Sequence, residues 1–240
     1  MTALLAACAL TAGVRGADGP VLSPSDPGYW PRVGALERAV TANPEDLQAG
    51  ADYRQLLIAG GFFDRSIDFF EKAEHRKGAG ANLELNLALA YVDKVPTSGE
   101  IRRVYLGRDA INALSRSIAI HPTVLAYYIR GFINLHFDHG LFHREDKGIA
   151  DLEQARALTR PETAPTLAAR VWVTLGDAYW RLKQPARARE LWAAGASRYP
   201  GDAELKVRTT SAEPELTAYI AHVFHLATRV DTSLHGATDF

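Results

Sequence analysis

Apolar positions recur at helical spacing along most of this chain, and the clearest run lies between Arg170 and Asp202. Trp172, Leu175 and Tyr179 share one helical face with Gly176 among them, and Gln184-Pro185 mark a turn. Ala188, Trp192 and Gly195 then carry the same period to Pro200. That proline stops a helix because it lacks an N–H and restricts the residue before it. The pattern predicts two antiparallel helices. Gly176 and Ala188 are small enough to let them approach, while Trp172, Tyr179 and Trp192 fill the wedge towards neighbouring helices.

Upstream the same helix–turn–helix alternation recurs in weaker form. Residues 30–42 predict a single helix ending at Asn43-Pro44. Residues 45–59 and 63–73 predict a pair around Gly60-Gly61, with Tyr53 and Leu57 on one face of the first helix and Phe63, Ile67 and Phe70 on one face of the second. Arg54 stands there in place of a small residue. Residues 82–93 and 108–119 predict the next pair, separated by an insertion at 94–107 whose part 100–106 extends the second helix backward. This insertion offers a second contact surface. Residues 124–137 and 147–158 predict a fourth pair with Gly131 and Gly148 as small contacts, joined by an enlarged turn at 138–146. An amphipathic helix over 214–229 has no partner, and 231–240 reads as a frayed tail. Residues 17–29, rich in Pro, Gly and Ser, read as a linker, with Ser25-Asp26-Pro27 capping the first helix.

The run from Trp172 to Tyr179, followed by Ala188, Trp192 and Pro200, resembles a tetratricopeptide repeat (TPR), W-x2-L-G-x2-Y then A-x3-F then P over roughly 34 residues. Trp192 replaces the usual Phe and Gly195 a usual Ala. Equivalent positions Ala39, Ala73, Ser117, Ala155 and Gly195 fall 34, 44, 38 and 40 residues apart, which is the repeat period with insertions in turns. The resemblance covers residues 30–205, about four and a half repeats. It implies an all-α, right-handed TPR-like superhelix of antiparallel helix pairs, with a C-terminal capping helix at 212–230.

Composition narrows the function more than the fold. The chain has 240 residues, 47% hydrophobic and 23% charged, with a formal net charge of −1 and no basic run. That balance argues against nucleic acid or a general affinity for anionic membranes. No G-x-S-x-G, G-x-x-x-x-G-K-[ST] or H-E-x-x-H motif is present, and no cofactor or catalytic residue is nominated. Ala3 to Val14 are apolar but fall short of the ~20 residues a bilayer span needs. Residues 1–16 read as a signal peptide cleaved after Val14-Arg15-Gly16, or as a lipoprotein signal in which Leu5-Ala6-Ala7-Cys8 is a lipobox and Cys8 is lipidated. With so short a stretch before Cys8, the signal is expected to start upstream. Either reading places the protein in the periplasm or envelope, anchored at most through its N-terminus. The alternative is a cytoplasmic protein with an apolar N-terminus.

Two constellations are candidates for function. In TPR proteins the concave face is lined mainly by the first helix of each pair. Carried over by spacing, this implies Gln48, Ala51, Gln55 and Ile58, then Asn82, Leu85, Leu89 and Val92, then Leu125, Tyr128, Phe132 and Leu135, then Arg170, Val173, Asp177 and Trp180. The resemblance therefore implies a non-catalytic scaffold binding a partner helix or peptide, with Leu85, Leu89, Val92, Tyr128, Phe132, Leu135, Arg170, Asp177 and Trp180 as contacts. The Lys/Asn/Arg clamp by which chaperone-binding TPRs hold a terminal carboxylate is absent. Two alternatives compete for the same apolar face: the chain's own last helix, with Tyr219, Val223, Phe224 and Leu226, or a small apolar ligand carried for an uptake system. The second constellation is His136, His139 and His143, which on one continuous helix would lie near one face and could bind zinc or copper. Gly140 favours the plainer reading of histidines near a helix C-terminus.

Overall fold

The computed structural model describes residues 22–76, 79–136, 144–225 and 231–235. Among these, the chain forms eleven α-helices and one short 3-10 turn, with no strand. The helices are α1 (Tyr29–Ala42), α2 (Leu47–Ala59), α3 (Phe63–Glu74), α4 (Ala81–Lys94) and α5 (Glu100–Ile120), then α6 (Val124–His136), α7 (Glu145–Leu158) and α8 (Pro165–Arg181), and finally α9 (Pro185–Arg198), α10 (Ala203–Thr210) and α11 (Glu213–Val223). The pairs α2/α3, α4/α5, α6/α7 and α8/α9 pack as hairpins, and each stacks on the next.

Local chemistry sets the boundaries. Asp46 and Asp202 cap α2 and α10, their carboxylates accepting the amides of Ala49 and Leu205 at 2.9 Å. Pro165, Pro185 and Pro214 stand in the first turns of α8, α9 and α11, where a missing N–H leaves no bond unmade. Gly61 has φ of 78°, a left-handed conformation that lets α2 turn into α3. The first helix departs from expectation: Asp26 accepts from the Ser23 amide at 2.6 Å, so it closes an earlier turn, and α1 begins at Tyr29 without a side-chain cap. The α5 helix runs backward from Gly107 to Glu100, as the insertion predicts, and the rest of the insertion is the 3-10 turn Val95–Thr97.

Helix pairs approach most closely where a side chain is missing. A Cβ on Gly131 would lie 2.9 Å from the Gly148 carbonyl, and one on Gly148 would lie 3.0 Å from the Gly131 carbonyl. The α6 and α7 backbones therefore touch, and no side-chain rotation can relieve an added methyl. Gly131→Ala is expected to lower stability by about 1–3 kcal/mol, read as a lower urea midpoint at constant slope. An unchanged midpoint would show that the two helices can part.

Two apolar clusters result. The first gathers α1 to α6 with the start of α8; the second gathers the end of α6 with α7 to α11. Two features past the fifth pair differ from expectation. Residues 203–210 form an additional helix, α10, packed on α9 and α8. The last helix ends at Val223 rather than near 229; residues 226–230 of the expected cap lie outside the described residues. Residues 231–235, read as a tail, place Leu234 in the first cluster.

Candidate functional site

The residues that the sequence nominates lie on the first helices of three of the four pairs, α4, α6 and α8. Leu85 and Leu89 on α4 and Leu135 on α6 are buried, and Val92, Tyr128 and Phe132 are partly buried against the same clusters. Arg170 is half-buried, while Asp177 and Trp180 are buried. Leu85, Leu89 and Val92 belong to the first cluster and Phe132, Leu135 and Trp180 to the second, and the chain's own C-terminal part reaches Phe132, Asp177 and Trp180.

The cover can be followed residue by residue. Arg208 of α10 closes over Asp177, donating from Nε and Nη2 to the two carboxylate oxygens at 2.6 Å each. Burial pushes the Asp177 carboxyl above the usual carboxylate range, against the pull of these two donors. Trp180 donates its indole N–H to Thr217 of α11 at 3.3 Å. Phe224, which ends α11, is buried with its ring 5.5 Å from Phe132 and 5.0 Å from His136, under the Arg181 guanidinium at 4.5 Å. The last helix, one of the occupants the sequence allows, thus reaches α6 and α8 through Phe224 and Thr217, while Tyr219 donates to Glu204 instead and Leu226 lies outside the described residues.

Residues 231–235 then lie across α2 and α4. Arg54 is fully enclosed. It donates through Nε to Asn86 at 3.0 Å, through Nη1 to Asp93 at 2.9 Å and through Nη2 to the Thr232 carbonyl at 2.8 Å. The Thr232 hydroxyl donates to Asp93 and accepts from Gln55 at 3.1 Å. Asn86 is in turn anchored by the Leu47 and Asn82 carbonyls. Arg54 signals itself in the sequence only as a large residue at a position meant for a small one; Asp93 and Thr232 carry no signal there, because their partners lie far along the chain.

The histidine cluster is resolved for one member. His136 packs against Phe132 and Phe224 and donates Nδ1–H to the Phe132 carbonyl at 3.1 Å, so its ring serves the apolar cover. His139 and His143 lie outside the described residues, as do Cys8 and the expected signal segment. Among the described residues, no group of three His, Cys, Asp or Glu is placed to hold a metal. No described helix is long and apolar enough to cross a membrane.

Two surfaces lie away from this face. The first turns of α5 expose Ile101, Val104 and Tyr105, the last beneath Arg108 at 5.0 Å. A cleft of about 780 Å³ between α1 and α3 is lined by Glu37, Arg38, Arg65, Asp68, Lys72 and Arg76, with Arg65 paired to Glu37 at 3.0 Å.

Residues 169–209 match the tetratricopeptide repeat family. These are most of α8, all of α9 and most of α10, the part where the repeat signature is plainest. TTC0263, a thermophilic TPR protein of Thermus thermophilus, superposes with a TM-score of 0.56 at 21% identity, over 75% of this chain and 88% of that one. The fold is a TPR-like superhelix. The MamA protein superposes with a TM-score of 0.50 at 18% identity, over 77% of this chain and 87% of that one. No curated protein matches the chain in sequence.

Proposed function

We propose that this protein is a non-catalytic scaffold that holds a partner protein or peptide on the face formed by α2, α4, α6 and α8. TPR folds generally serve as protein-interaction scaffolds, and this chain carries that fold. The observation that supports the location is that these helices already receive a helix and a short segment of the chain itself, with Phe224 seated on Phe132 and Thr232 seated on Arg54. A surface that accepts its own C-terminal segment has the shape and the hydrogen-bonding groups to accept a similar segment from elsewhere.

The alternative of an apolar-ligand carrier needs an enclosed apolar cavity. The apolar side chains of this face instead pack on one another and on Phe224. Placement in a bacterial envelope assembly rests on the N-terminal sequence alone.

The test is affinity purification of the wild-type chain and of Phe224→Ala, followed by cross-linking and mass spectrometry. A stoichiometric partner protein is expected, cross-linked to α6 and recovered more strongly with Phe224→Ala because the cover is loosened. A small apolar molecule in its place would favour the carrier. Recovery of neither from both proteins would overturn the scaffold reading.

A further inference from the structure

Residues 231–235 alternate in exposure: Asp231 is exposed, Thr232 buried, Ser233 half-buried, Leu234 buried and His235 exposed. Thr232 and Leu234 are thus turned inward, although the segment is bent: the Ser233 amide donates to Asp231 at 2.9 Å and the His235 amide to Ser233 at 3.3 Å. Both inward positions are read by chemistry rather than by bulk alone. The Thr232 hydroxyl gives its proton to Asp93 and accepts one from Gln55, so both of its hydrogen-bonding roles are used. The carbonyl of the same residue accepts from Arg54. Leu234 enters the first apolar cluster.

The receptor side is built independently of the peptide. Asn86 and Asp93 fix the Arg54 guanidinium through Nε and Nη1, which leaves Nη2 aimed at a peptide carbonyl. Asn86 is itself held by two backbone carbonyls. The occupant, by contrast, carries a conformational penalty. Leu234 has φ of 65°, a left-handed conformation that is unfavourable for a residue with a Cβ.

We propose that Arg54, Gln55 and Asp93 form a recognition site for a short peptide segment with the pattern Thr-x-Leu. Residues 231–235 occupy it in cis, and a partner protein displaying the same pattern displaces them. The inference rests on the scaffold reading and specifies its ligand. The hydroxyl is the discriminating group: a valine of the same shape leaves Asp93 and Gln55 facing a methyl group.

The probe is a fluorescein-labelled peptide of residues 229–237, Arg-Val-Asp-Thr-Ser-Leu-His-Gly-Ala, titrated by anisotropy into the full chain. Wild type, whose site is filled, is expected to bind weakly. A full-length Thr232→Val/Leu234→Ala variant, whose own segment lacks both anchors, is expected to bind about tenfold or more tightly than wild type. A peptide with Val in place of Thr should lose about tenfold on that variant. Equal binding by the two proteins, or by the two peptides, would overturn the proposal. Should the variant fail to fold, the wild-type chain decides: excess peptide must speed hydrogen exchange at the amides of residues 232–235, and unchanged exchange would overturn it. A dimer of the full chain that the peptide dissolves would make a second copy the occupant and overturn the partner assignment. Failure of the peptide while a partner still co-purifies removes this inference and leaves the scaffold reading standing. Peptide binding without any co-purifying partner does the reverse.

Discussion

Asp177→Leu is expected to lower the free energy of unfolding by about 3–5 kcal/mol, because it strands the Arg208 guanidinium, which is 1% exposed, without its bidentate partner. The melting temperature should fall on the order of 10 °C for a chain of this size. Glu204 also contacts Arg208, at 2.6 Å, but its side chain is 48% exposed and it reaches only one of the guanidinium nitrogens. It softens the loss without replacing the pair. The double variant Asp177→Leu/Arg208→Leu should recover much of the stability, since removing both charges from a buried site is far less costly than removing one. Thermal unfolding followed by circular dichroism measures both. A single variant that melts as wild type does would mean that α10 swings away and lets water reach Arg208, and the cover over α8 would then be far looser than described.

Trp192→Ala should cost a similar amount, about 3–5 kcal/mol, for a different reason. Its indole is fully buried, lies 5.5 Å from the Trp180 ring and donates to the Val173 carbonyl at 3.2 Å. It also fills the space that Gly176 leaves open: a Cβ on Gly176 would sit 2.2 Å from the indole nitrogen. The two positions are therefore coupled with opposite sign. Gly176→Leu alone must displace the indole and should destabilise by about 1–3 kcal/mol or more. In the Trp192→Ala background the same leucine fills part of the cavity and should be stabilising. A double-mutant cycle in urea measures this coupling. Additive effects would show that Gly176 and Trp192 do not share one space, and the repeat packing assigned to the α8/α9 pair would fail.

That pair was the most legible part of the chain because all its determinants are local. Trp172, Leu175, Gly176, Tyr179, Ala188 and Trp192 lie within one repeat, and their spacing alone predicts which faces meet. The hairpin order and the backward extension of α5 could also be read, since helix periodicity and turn residues are short-range signals. For the candidate site, spacing assigns Leu89, Phe132 and Trp180 to corresponding sides of their helices. The last helix could be named as one candidate occupant of that face, but neither α10 nor residues 231–235 could. Asp177 resembles a partner contact until Arg208 is seen beside it, 31 residues later. Arg54 stands out as a packing fault until Asn86, Asp93 and Thr232 are brought round it. Periodicity tells which way a side chain points along its own helix; it carries no information on which distant segment arrives there. The 231–235 segment, polar and short, has the composition of a frayed end, and only its two inward residues tie it down.

Thr232 follows Arg54 by 178 positions, so the first apolar cluster cannot complete its polar centre until residue 232 has been made. Domains fold from the N-terminus as they leave the ribosome, at about 5–20 residues per second. Thr232 follows Asp93 by 139 positions, so the α2/α4 layer waits roughly 7 to 28 s, by that rate, with the Arg54–Asp93 pair open to whatever is nearby. Closure of this layer is thus tied to the emergence of residue 232. A nascent chain stalled before that residue should expose this groove to chaperones or to an early partner, and a longer one should withdraw it.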